Sequence, residues 1–227
     1  MDNQLDRIRK AYDLTVEQYR SGIEALDNIP EKIKNSPFFK SLSADSDLIN
    51  SSAIDIKKYL APEPGMRFLD AGCCANLANY RLDKWPSTYY GFDISPALIN
   101  AMRDFAKRQN ISIGGLEVAD FSKLPFDDNF FDIAAVIGLL EYCTLEYIGT
   151  ALTELHRVLK TGARAVLDIP NRDHSHVNDM LELEKYLGRP IFLHTRLKFE
   201  ELLAPLFATV QIDDSRVMIK YFVRAIK

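Results

Sequence analysis

From Met66 onward the chain repeats one unit: a short apolar run, a turn, and an amphipathic segment. MRFLDAG, STYYGFD, LEVAD, FDIAAVIG and ARAVLDIP are the apolar runs, each of strand length. Between them Leu98, Met102, Phe105 and Ala106, and later Ile148, Ala151, Leu152, Leu155, Val158 and Leu159, recur at the spacing of a helix's buried stripe. Wholly apolar strands alternating with helices belong to a parallel sheet covered on both faces, so the chain reads as α/β. Ser95 and Pro96 suit the cap and first turn of one helix, and Gly162 reads as the stop of another. A helix near 197–206 and two strands, ATVQID and VMIKYFVRAI, follow. The last has Val217, Ile219, Tyr221, Val223 and Ala225 on one face and Lys220 and Arg224 on the other, which reads as an edge strand with one wetter face.

Ahead of this region, Leu5, Ile8, Tyr12, Val16, Tyr19, Ile23 and Leu26 form the stripe of an amphipathic helix that must lie against something. Residues 27–48, with two prolines and several turn formers, read as an irregular connector, and a short helix near 51–60 ends at APEPG. The expected division is a helical cap over 1–50 and one domain over 51–227, with the polar, histidine-bearing stretch 171–195 as an insertion on the substrate side. A length of 227 residues, 47% of them apolar, suits one domain with appendages. A net charge of −4 without a basic stripe argues against nucleic acid as partner. No window resembles a signal peptide or reaches the roughly 18 apolar residues of a membrane span, so a soluble, cytoplasmic protein is expected. The three cysteines form neither a disulfide framework nor a zinc ligand set. Oligomeric state is not written in the sequence.

Ligands of open parallel sheets bind beyond the carboxyl ends of the strands. Asp70, Asp93 and Asp120 stand there after the first three strands. Asp93, 23 positions after Asp70, is placed to accept hydrogen bonds from the two hydroxyls of a ribose. A strand-end aspartate is also a common turn former or cap; three in register within one pattern favour ligand contact.

The stretches FLDAGC, GFDIS, ADFSKLPFDDNFFDIAAVIGLLEY and LTELHRVLKTGARAVLDIPN resemble the class I S-adenosylmethionine-dependent methyltransferases, of the methyltransferase-11-like type that modifies small molecules. The resemblance runs over about 60–171. It implies a three-layer Rossmann-like fold, with a seven-stranded, mostly parallel sheet, a final antiparallel strand and an N-terminal helical cap. It also implies S-adenosyl-L-methionine as cofactor and S-adenosyl-L-homocysteine as product. By the same resemblance Asp70, Ala71, Gly72 and Cys74 would border the methionine part, Asp93 would hold the ribose and Ile94 would pack on the adenine. Asp120 would receive the adenine amino group with Phe121 against the ring, and Gly138 would lie near the sulfonium. Tyr12-Asp13 and Tyr19 match a Y-D-x-x-x-x-x-Y wording found in cofactor-covering helices, although both tyrosines equally suit plain packing.

One departure stands out. Where the family has G-x-G-x-G, this chain has Gly72-Cys73-Cys74-Ala75-Asn76, so the Cys74 side chain must fit beside the cofactor or push the loop outward. That motivates a rival, a methyltransferase-like binding module without catalysis; a nicotinamide-dependent oxidoreductase is a second. A redox role for Cys73 or Cys74 competes with inert burial. The reaction expected is in-line transfer of a methyl group to a small-molecule oxygen, nitrogen, sulfur or carbon. Tyr142, His174 and His176 are the candidates for a base where the acceptor carries a proton. His174 and His176, with Asn171, Asp173 and Asp179 nearby, lack a third ligand of matching geometry, so no metal is expected.

Overall fold

The computed structural model describes residues 3–22, 28–44, 55–189 and 191–227. Its centre is a seven-stranded sheet of order β3-β2-β1-β4-β5-β7-β6. The strands are β1 (Arg67–Ala71), β2 (Thr88–Asp93), β3 (Gly115–Val118), β4 (Phe131–Val136), β5 (Leu159–Pro170), β6 (Phe207–Asp213) and β7 (Met218–Ala225). The first five run parallel, while β7 is antiparallel to both β5 and β6. Strand order reverses between β1 and β4, which places the crevice for a ligand at their carboxyl ends.

Helices cover both faces. On one, Leu60 from α4 (residues 55–60), Leu77 from α5 (Asn76–Tyr80), and Ile99, Met102 and Ala106 from α6 (Pro96–Arg108) pack on Phe68, Tyr89, Ile133 and Val166. On the other, Ile148, Leu152 and Leu155 of α7 (Leu145–Val158) and Phe199 and Leu203 of α9 (Arg196–Leu203) pack on Leu69, Ala134, Leu167 and Tyr221. Ser95 caps α6, its hydroxyl accepting from the Leu98 amide at 3.1 Å, with Pro96 in the first turn. Within β2, opposite Asp70 of β1, Gly91 leaves a notch: a Cβ there would stand 2.9 Å from Cys73 Cβ.

The run LPFDDNFFD earns its place through α7. Arg157 donates to the carbonyls of Phe126 and Leu124, and Glu154 accepts from the Leu124 amide at 2.7 Å. Two side chains three apart on one helix face thus hold the loop entering β4, the reason LTELHR and LPF occur together.

Three expectations change. Residues 27–48 are not irregular throughout: the described part holds α2 (Glu31–Lys34) and α3 (Pro37–Ala44). Pro30 caps α2 and Pro37 opens α3, positions where proline's missing amide costs nothing. α7 ends at Val158 rather than running to Gly162, which sits inside β5 at φ +80°. β7 is not an edge strand. It pairs on both sides, Lys220 is 6% exposed, and β6 takes the edge because the two strands fold as a hairpin with β7 inward. The expected helix near 51–60 is described from residue 55, and Ile23 and Leu26 of the first stripe lie outside the described residues.

α1 (Asn3–Arg20) lies across the carboxyl end of the sheet. Leu5 and Ile8 are buried beneath it, and Asp13 accepts a hydrogen bond from Ser95 Oγ at 2.5 Å. α8 (Val177–Tyr186) joins α2 and α3 in a small core of Ile29, Ile33, Phe38, Val177, Met180 and Leu183.

Candidate functional site

At the switch between β1 and β4 lies a cavity of about 220 Å³. The loop after β1 contributes Gly72, Cys74 and Asn76, the end of β2 contributes Phe92, Asp93 and Ile94, and the segment after β3 contributes Ala119 and Phe121. Gly138, Leu139, Tyr142 and Cys143 close it behind β4, Tyr147 comes from α7, and Leu5, Ile8 and Tyr12 of α1 form the roof.

Asp93 is the polar centre. Its Oδ2 accepts the Cys74 amide at 3.0 Å and its Oδ1 the Ser95 amide at 2.9 Å, so one side chain ties the β1 loop to the cap of α6. It is 8% exposed, and no cation pairs with it among the described residues. Burial raises its pKa against those two amide bonds. Each oxygen keeps acceptor capacity toward the cavity, which suits a pair of hydroxyls. The walls beside it, Phe92, Ile94, Ala119 and Phe121, are apolar and suit a flat aromatic base.

Asp70 sits just behind the lining. Tyr89 Oη donates to it at 2.8 Å and Asn76 Nδ2 at 3.2 Å, so the asparagine standing for the third glycine holds the first acid of the motif. Burial pushes the Asp70 pKa from 3.8 to about 6. Between pH 4 and 6 the folded chain therefore holds a proton that the unfolded chain has released, and raising pH through that window lowers stability. Urea unfolding should show the wild type losing about 3 kcal/mol at most, relative to Asp70→Asn, between pH 4 and 6, with a level difference above. A difference that does not vary with pH would mean the carboxylate is well solvated.

Cys74 occupies the place of the second glycine at φ +41°, and Gly72 before it has φ +68° with Leu139 within 3.3 Å of where a Cβ would stand. The loop keeps its glycine-like path while a thiol enters the cavity. Burial, then the nearby Asp93 carboxylate, pushes the Cys74 pKa to about 11. Cys73 is buried and its pKa is raised well above the ordinary thiol value, also chiefly by burial. Such thiols are poor nucleophiles at neutral pH. Maleimide labelling of native protein at pH 7 should accordingly run about a hundredfold slower than that of a free thiol; a rate like that of glutathione would contradict the burial.

Other candidates fall in different places. Ala71 is fully buried in β1. Asp120 lies outside the lining, with Oδ1 taking hydrogen bonds from the Ser122 amide, Ser122 Oγ and Tyr147 Oη; these bonds outweigh burial and lower its pKa. Tyr19 is 71% exposed and away from the cavity. It shares Tyr12's helix face but stands two turns farther, about 10 Å along the axis, past the cavity's end. His174 and His176 are also outside: His174 Nδ1 accepts the His176 amide at 3.1 Å, a local turn opening α8. Among the described residues no cluster of His, Cys, Asp or Glu forms a metal site, and no helix is long and apolar enough to cross a membrane.

Sequence reasoning missed the acceptor-side network. Tyr12 Oη lies 3.3 Å from Tyr142 Oη, which donates to Glu184 Oε2 at 3.0 Å, and Arg189 pairs with Glu184 while its guanidinium lies 4.9 Å from the Tyr12 ring centre. Glu184 and Arg189 carried no motif; only the fold brings α8 to the roof.

Residues 69–167 match the model of a methyltransferase domain. That segment, 99 of the chain's 227 residues, is similar to a methyltransferase domain. A 2-phytyl-1,4-naphtoquinone methyltransferase of Nostoc punctiforme is 35% identical over 116 residues, 48% of this chain and 49% of that one. The chain spans about half the length of the curated relatives it matches. Geranyl diphosphate C-methyltransferase from Streptomyces coelicolor A3(2), solved with S-adenosyl-L-homocysteine, superposes with a TM-score of 0.71 at 14% identity, covering 100% of this chain and 98% of that one. Magnesium protoporphyrin IX methyltransferase from Synechocystis PCC 6803 gives 0.68 at 13% identity, covering 99% and 100%. At those identities the likeness is one of fold. The methyltransferase domain's matched segment begins in β1 and ends in β5, spanning the Asp70, Asp93, Asp120 and Gly138 positions but neither α1 nor α8.

Proposed function

We propose that this chain transfers a methyl group from S-adenosylmethionine to a small-molecule acceptor. The observation that carries the reading is Asp93: a buried carboxylate without a cation partner among the described residues, facing a cavity between apolar walls at the topological switch point. Asp93 would hold the ribose hydroxyls, Ile94 and Phe121 the adenine, and Gly72 and Cys74 would border the methionine end with Asp70 behind them. When bound, the cofactor supplies an electrophilic methyl group on a sulfonium. The chain's own part is alignment and exclusion of water, for which α1 roofs the cavity.

Gly138 would face the acceptor end, and Tyr142, with Tyr12 beside it, would present a phenol there. Through its hydrogen bond to Glu184, Tyr142 orients an acceptor that carries a proton. The described residues within 1–50 and 171–195 would form a substrate-selecting cap over the domain expected at 51–227. The small-molecule preference is supported by the naphthoquinone enzyme among the relatives.

A second reading, a cofactor-binding module without transfer, is favoured by Cys74 alone. Calorimetry with S-adenosylmethionine and S-adenosylhomocysteine separates binding from its loss, and methyl transfer to a panel of phenols, quinols and amines separates the two readings. No saturable heat with folded protein would sink both. The nicotinamide reading predicts heat with NAD or NADP instead; the antiparallel β7 beside β5 departs from the 3-2-1-4-5-6 sheet of such domains.

A further inference from the structure

Two phenols meet in the cavity wall, and their hydrogens point one way. Glu184, with the Arg189 guanidinium Nε 3.0 Å from its Oε2, is a carboxylate and can only accept. Tyr142 therefore gives its single hydroxyl hydrogen to Glu184 Oε2 at 3.0 Å. At the 3.3 Å contact with Tyr12 the Tyr142 oxygen must then accept, so the Tyr12 hydrogen is committed in turn. The result is a directed chain, Tyr12 to Tyr142 to Glu184, drawn from α1, the turn Leu140–Tyr142 and α8.

Both phenols line the cavity while Glu184 does not, so the chain begins at the ligand and ends behind the wall. Tyr12 Oη accepts no hydrogen bond among the described residues, and what it offers inward is lone pairs. The matching ligand atom is a donor. Burial pushes both phenols above the ordinary tyrosine value, so neither gives up its proton for good at neutral pH. Burial also lifts Glu184 above the usual carboxyl range, against the lowering by Arg189 and by the Tyr142 bond, which suits a group that takes up a proton. Glu141, the other carboxyl in this group, makes no side-chain hydrogen bond to either phenol among the described residues.

We propose that Tyr12 and Tyr142 form a proton relay to Glu184 and that the methyl acceptor is an aromatic hydroxyl. This rests on the methyl-donor reading above. The oxygen–methyl bond forms as the methyl–sulfur bond breaks, with the electron pair of the broken bond left on sulfur. The hydroxyl's proton passes to Tyr12 Oη, that of Tyr12 to Tyr142 Oη, and that of Tyr142 to Glu184 Oε2. An amine attacks with a lone pair it already has and needs no such sink, whereas a neutral hydroxyl does. The apolar walls, Leu5, Ile8 and Phe92 among them, suit the flat body of such a ligand.

Titrating protein loaded with S-adenosylhomocysteine with 4-nitrophenol, whose visible absorbance separates phenol from phenolate, tests it. At about pH 6, where the free probe is mostly protonated, the probe bound to wild type should show the phenolate band. 4-Nitroanisole, which has no proton to give, should bind more weakly by about fivefold or more. Glu184→Gln and Tyr142→Phe should each raise the pH at which the bound probe ionises by about one unit or more. Tyr142→Phe leaves the Glu184–Arg189 pair in place, so it carries the comparison if Glu184→Gln does not fold. A bound probe that stays protonated in wild type, a phenolate band unchanged by either substitution, or no binding of the phenol to the loaded protein would overturn the relay. No heat with S-adenosylhomocysteine in the loading step would instead overturn the donor reading beneath it.

Discussion

Asp93→Asn should weaken binding of S-adenosylhomocysteine by ten- to a hundredfold, with circular dichroism and gel filtration unchanged. The carboxylate serves two clients at once. It accepts the Cys74 and Ser95 amides, and it faces the cavity with capacity for two hydroxyls. An amide of the same shape offers one acceptor oxygen and one donor nitrogen, so one backbone N–H or one hydroxyl must meet a donor. Losing a charge-assisted bond of this kind costs about 1.5–3 kcal/mol. Calorimetry at pH 7.5 measures it, and an unchanged dissociation constant would put the nucleoside somewhere else. Burial raises the Asp93 pKa, so wild-type affinity should fall as pH drops through the carboxylate range while that of the variant stays flat.

The second large effect concerns the scaffold. Phe131 at the start of β4 is fully buried, its ring centre 5.4 Å from that of Tyr90 and 4.9 Å from those of Phe126 and Phe130. Phe131→Ala should cost about 3–5 kcal/mol, because the surrounding rings cannot all move in to fill the hole. For a chain of this size the thermal midpoint should fall by about 6–20 °C. A loss below 1 kcal/mol would mean that the aromatic cluster repacks freely.

The sheet was legible because its strands are apolar on both faces and each is followed by a helical stripe; Ser95-Pro96 even marked where α6 begins. The edges were less legible. β7 alternates like a half-exposed strand, yet Lys220 lies buried, since the position of a hairpin within a sheet depends on partners far away in sequence. Prolines and turn formers suggested an irregular connector over 27–48, where Pro30 and Pro37 instead begin helices. In the site, Asp93 and its neighbours were readable from spacing, because a loop that follows a strand has few places to go. Tyr19 was not placed by the same wording as Tyr12: a face is shared along a helix, but reach along its axis is not. Arg189 and Glu184 gave no signal, for Arg189 meets Tyr12 177 positions away on α1 and Glu184 meets Tyr142 42 positions away behind β4.

The notch at Gly91 couples two positions 18 apart in the chain. A relative carrying alanine in the middle of β2 has no room for cysteine at the turn of β1, and one carrying glycine at the turn is free to fill β2. The two sites should therefore vary together across descendants of this chain, the bulk of one inherited with the smallness of the other. The cysteine at 73 is thus a property of the strand beside it as much as of the loop that bears it.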